Sequence, residues 1–129
     1  MRRFAVLLLL PVMLLPVLAP ISVTAEKDGA RLFTPCRARH SLDPAERGLP
    51  GPNFSGLIGR GIGGDAAFDY SPVLRKARDE GLRWDSKRLE TFLTDPAAMF
   101  PGLWMSMRGI EDAAERHALV RFLSNPSSH

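Results

Sequence analysis

The sequence predicts a small all-α domain with long loops, and three observations predict it. No run of residues alternates apolar and polar side chains with the period of two that a half-buried strand requires. Apolar residues recur at helical spacing in three places: Gly29 with Phe33, Leu89 with Phe92 and Leu93, and Leu119 with Phe122 and Leu123. Glycine and proline punctuate the ground between them too heavily for regular structure.

The chain has 129 residues, room for one domain. Residues 1–25 are expected to be an export signal. Arg2 and Arg3 precede an apolar run over 4–23, small residues follow at Val23 and Ala25, and polar Glu26-Lys27-Asp28 comes next. The rival is an uncleaved anchor, because the run approaches the roughly 20 residues that cross a bilayer. Pro11, Pro16 and Pro20 interrupt it, and the small-residue end suits a peptidase. The domain then occupies 26–129. Losing Arg2 and Arg3 lowers the formal charge from +3 to +1, with no basic block left to hold nucleic acid. Export favours disulfides, yet the one cysteine cannot form one internally. Small domains without such staples often lean on a metal or cofactor.

The first mature helix starts near Asp28 and should end or kink before Cys36, because Pro35 removes a backbone donor. Residues 41–69 form a loop rich in Gly and Pro, which in a small domain calls for something to wrap. Ser71-Pro72 starts a helix, the hydroxyl capping free amides and proline taking the first position; Gly81 follows its end near Asp79. Asp85 caps the next helix, which Asp95-Pro96 closes. Residues 96–109 are expected to be an irregular loop holding Met99, Met105 and Met107. The last helix covers about 112–123.

Residues 36–40 read Cys-Arg-Ala-Arg-His, a Cys-x-x-Cys-His haem-attachment site with Arg39 in place of the second cysteine. A buried thiol and a surface imidazole are the plainer reading of this stretch alone. The whole mature chain, however, resembles bacterial class I cytochromes c of the kind close to mitochondrial cytochrome c. The likeness runs through Gly29 and Phe33, Cys36 and His40, Gly51-Pro52-Asn53, Gly59-Arg60, Phe68-Asp69-Tyr70-Ser71-Pro72, Trp84-Asp85, Pro101-Gly102 with Met105, and Leu119, Phe122 and Leu123.

That resemblance implies the class I cytochrome c fold, with long loops wrapped around one haem. It implies a periplasmic, monomeric electron carrier that meets redox protein partners and is not an enzyme. His40 and Met105 would be the axial iron ligands, and Pro52 would accept a bond from the other nitrogen of His40. Tyr70, Trp84 and Arg60 would face the haem propionates. Gly29 and Phe33 would pack against Leu119 and Phe122. The haem would be attached through a single thioether at Cys36, or held without one. His117 and His129 are expected to be solvated.

Three departures stand out: Arg39 for cysteine, Pro35 abutting Cys36, and Leu103-Trp104 where threonine and lysine are frequent. Arg37, Arg75, Lys76, Arg83, Lys87 and Arg88 still offer a basic rim to an acidic partner. Two other functions compete. A decayed member would keep the fold as an interaction module without haem. A thiol enzyme would pair Cys36 with His40, but no third orienting group is evident.

Overall fold

The computed structural model describes residues 22–125, with side chains from Asp28 onward. The expected signal therefore lies outside the described residues, apart from its last four positions. Those begin helix α1 (Ser22–Phe33), which starts earlier than the expected Asp28. A 3-10 turn (Thr34–Ala38) follows, then α2 (Pro72–Asp79), α3 (Ser86–Thr94), the single turn α4 (Pro96–Met99) and α5 (Ala113–Ser124). Among the described residues the only strand-like pairing is an isolated antiparallel bridge between Gly61 and Arg83.

Helices α1 and α5 cross at Gly29. A Cβ there would lie 2.7 Å from the Ala118 carbonyl oxygen and closer still to Phe122 Cβ, so only glycine admits this approach. One turn on, Phe33 is fully buried with its ring 5.8 Å from that of Phe122. Pro35 acts as its chemistry requires: the α-helix stops at Phe33 and the chain tightens into the 3-10 turn. The Cys36 carbonyl closes that turn by accepting from the amides of Arg39 (3.0 Å) and His40 (2.9 Å).

Three aspartates cap the later helices as short acceptors should. Asp85 accepts from the Arg88 amide at 2.7 Å, Asp95 from Ala98 at 3.0 Å and Asp112 from Glu115 at 2.9 Å. The second of these corrects an expectation. Asp95-Pro96 ends α3 but also starts α4, so the stretch after Pro96 is not wholly irregular. Ser71 corrects another. It stands at the N-cap of α2, yet its hydroxyl makes no capping bond.

The long loop is held by its own polar side chains. Asn53 donates to the carbonyls of Asp43 (2.7 Å) and Glu46 (3.1 Å), and its amide donates to Asp65 Oδ2 at 2.9 Å. Further along, Gly59 donates to the Trp84 carbonyl (2.7 Å) and Trp84 to that of Arg60 (2.9 Å). These bonds carry the loop across the start of α3. Its apolar residues Leu42, Leu57 and Ile62 then join Leu89, Leu93 and Leu119 in one core.

Candidate functional site

Loop, α2, α3 and the segment after α4 enclose a cavity of about 400 Å³. Most of its wall is apolar, with Leu57, Leu89, Phe92 and Leu103 among the lining residues. Six of the seven residues expected from sequence to bind a cofactor line it: His40, Pro52, Arg60, Tyr70, Trp84 and Met105. The seventh, Cys36, does not; it sits half-buried against the hydrophobic core. Arg39, one turn on, does reach the cavity wall.

His40 is 7 % exposed, and its position follows from three constraints. The 3-10 turn delivers its backbone. The Nδ1–H donates to the Pro52 carbonyl oxygen at 2.9 Å, and the ring stacks on Phe54 with centroids 4.1 Å apart. Gly51 is needed because a Cβ there would lie 2.6 Å from His40 Nδ1. Burial pushes the imidazole below its ordinary range; the Pro52 bond opposes that and the Arg39 charge reinforces it. A neutral ring with its proton on Nδ1 leaves the Nε2 lone pair free for a metal.

The three methionines separate. Met105 lines the cavity, whereas Met99 and Met107 pack against the core. Met105 is the one that the family resemblance implies as an iron ligand.

The polar part of the wall is incompletely satisfied. Ser71 Oγ and Arg60 Nε are buried and have no partner. The rest of the Arg60 guanidinium holds the loop, donating to the carbonyls of Asn53 (2.6 Å) and Ser55 (3.2 Å). Tyr70 accepts from the Asp65 amide at 3.1 Å and keeps its own proton to give. Burial raises the Tyr70 phenol above its usual range, so it stays a donor. Buried orphans of this kind are uncommon and call for a ligand. Ser71 is the site residue that its expected capping role had concealed. The signal for it was adjacency to Tyr70.

Trp104 stands at the rim, 61 % exposed, with the Arg75 guanidinium 5.9 Å from its ring centre. The expected basic rim is largely engaged within the chain. Arg75 pairs with Asp69 (3.1 Å), Lys76 with Glu80 (3.7 Å) and Arg88 with Asp85 (3.5 Å), while Arg83 donates to the Gly59 carbonyl (2.8 Å). His117 is exposed as expected, but it also meets Glu90 of α3 at 2.5 Å. The described residues contain no cluster of three or more acidic, histidine or cysteine side chains suited to a metal.

Fold and cavity together define a small helical domain around a largely apolar cavity whose wall carries two unpartnered polar atoms. The donor set fits haem: an imidazole and a thioether for iron, and orphaned donors for carboxylates. No family model matches the chain. It is 36 % identical over 95 residues to cytochrome c2 of Agrobacterium tumefaciens (strain II Chrys), covering 74 % of this chain and 86 % of that one. It is 33 % identical over 98 residues to cytochrome c2 iso-2 of Magnetospirillum fulvum, covering 76 % and 98 %. Among solved structures, cytochrome cH from Methylobacterium extorquens superposes with a TM-score of 0.68 at 31 % identity, over 77 % of this chain and 96 % of that one. Cytochrome c2 from Rhodospirillum centenum gives 0.70 at 27 %, over 77 % and 95 %. The chain belongs to the bacterial class I cytochromes c. It is by that membership an electron carrier that meets redox partners, and not an enzyme.

Proposed function

We propose that this protein is a periplasmic, monomeric one-electron carrier holding a single haem, with His40 on one side of the iron and Met105 on the other. One observation carries the reading. His40 commits Nδ1 to Pro52 and leaves Nε2 unbonded at the wall of the same cavity that Met105 lines. The bound haem supplies the one-electron chemistry. The protein's part is to hold the ligands, exclude water and neutralise charge. Thioether opposite imidazole raises the reduction potential relative to two imidazoles. Ser71, Tyr70, Trp84 and Arg60 have donors for the propionates, whose burial without partners would cost several kcal/mol each.

A haem-free interaction module has no use for this arrangement. An empty apolar cavity forfeits packing energy in proportion to its volume, and two orphaned polar atoms add to that cost. Attachment through one thioether at Cys36, or through none, is compatible with electron transfer. No described helix is long and apolar enough to cross a membrane. The testing experiment is a potentiometric titration of the purified protein. It should give a reversible haem couple, lost in His40→Ala. A coloured protein whose couple survives His40→Ala would overturn the reading.

A further inference from the structure

We propose that this chain holds its haem without any covalent bond, as an exchangeable group with both vinyl substituents intact. The proposal rests on the haem reading above and decides what that reading leaves open.

A thioether forms when a thiol S–H adds across a vinyl C=C. Sulfur bonds one carbon, hydrogen goes to its neighbour, nothing leaves and no net electrons move. The sulfur must therefore stand at the edge of the ligand. The chain has one cysteine. Cys36 is absent from the cavity wall, which its neighbours Arg39 and His40 do line. Its side chain is half-buried against the hydrophobic core.

The backbone at Cys36 is fixed by the turn it belongs to. Its carbonyl accepts from both Arg39 and His40, and those bonds place the imidazole. The turn as a whole therefore cannot shift toward the cavity without displacing His40 from Pro52. Burial also raises the thiol's pKa, which leaves less of the reactive thiolate. Arg39 occupies the place at the wall, but a guanidinium is always charged and has no lone pair to add to a vinyl group. Retention then falls to His40, Met105, the apolar wall and the polar groups around Ser71. Without a tether the high effective concentration it provides is gone, and the haem must exchange.

The test uses the full-length protein expressed with its signal beside a competent cytochrome c maturation system. The purified holoprotein is extracted with acidified butanone, the polypeptide is weighed by mass spectrometry, and the pyridine haemochrome spectrum is recorded. The expected result is that all pigment enters the organic layer. The polypeptide has the mass of the bare chain, and the spectrum is that of haem with two unsaturated vinyl groups. Holoprotein mixed with excess apomyoglobin should lose its haem to it. Cys36→Ser should change neither haem content nor extraction, and Arg39→Cys should make the pigment resist extraction. Pigment that stays with the wild-type chain, raising its mass by one haem, would overturn the proposal and leave the electron-carrier reading intact. Protein that takes up no haem would overturn both.

Discussion

The Nδ1 of His40 lies 2.9 Å from the carbonyl oxygen of Pro52, twelve residues along the chain, and that bond decides what the histidine can do. It fixes the tautomer and the ring plane, and it ties the end of the 3-10 turn to the first bend of the long loop. Gly51 next door leaves the ring room to sit there. The loop's length and its many glycines and prolines are thus part of the site.

Met105 should be separable from its neighbours by its spectrum. Met105→Ala is expected to remove thioether ligation and lower the reduction potential of the holoprotein. Met99→Ala and Met107→Ala should keep the ligand signature and cost about 2 kcal/mol of stability, the low end for a truncated packing methionine. Visible spectra with denaturant titrations distinguish the three. An unaltered spectrum in Met105→Ala would show that the ligand lies elsewhere.

Ser71→Ala should move two properties in opposite directions. Ser71 is 3 % exposed and its hydroxyl has no partner in the protein alone, so deleting it should stabilise the haem-free form by about 1 kcal/mol. The same change should weaken haem retention, because a donor to an acidic group is lost. Denaturation of the apoprotein and haem transfer from the holoprotein measure the two effects. A loss of apoprotein stability would mean the hydroxyl caps α2 after all.

Asp65 anchors the loop and predicts an acid limit. Burial raises its carboxyl, but the amides of Asn53 and Ala67 and the charges of Arg47 and Arg60 outweigh that and hold it below its usual range. A depressed folded value means the contribution is complete above the unfolded pKa near 3.8 and disappears as pH falls through the folded one. Asp65→Asn should cost about 2 kcal/mol at neutral pH, as expected for bonds to a charged acceptor. The two proteins should converge in stability at acid pH, as the folded Asp65 carboxylate takes up its proton below 3.8. Urea titrations at both pH values check this, and a constant gap would refute it.

Gly29→Ala tests the crossing of α1 and α5. Alanine is the better helix former by about 1 kcal/mol, so local propensity predicts a gain. Contact with Phe122 and the Ala118 carbonyl predicts a net loss of about 1–3 kcal/mol from overpacking. The sign of the change in thermal midpoint decides between them.

Most of the fold was legible because its signals are local. Pro35 stops a helix, and Asp85 and Asp112 cap the next ones by bonds to amides three residues on. The failures share a cause as well. Ser71 has the residue type and place of a cap, but α2 leaves its hydroxyl buried and unbonded, a choice made by packing and invisible in the sequence. The turn of α4 escaped notice because Asp95-Pro96 both ends one helix and starts another. The bond between His117 and Glu90 depends on how α3 meets α5, which no local pattern reports. In the site, the family resemblance implied seven residues, six of which line the cavity. It could not say which way the Cys36 side chain packs, because that depends on the core the rest of the chain brings to it.

The most direct test of the central claim is titration of the haem-free protein with haemin, followed by its visible spectrum in wild type, His40→Ala and Met105→Ala. The account predicts saturation at one equivalent with a six-coordinate low-spin spectrum in wild type. Sixth-ligand signatures should vanish in Met105→Ala, and tight binding should vanish in His40→Ala. A folded wild-type chain that takes up no haemin, or one that binds it equally well without both side chains, would contradict it.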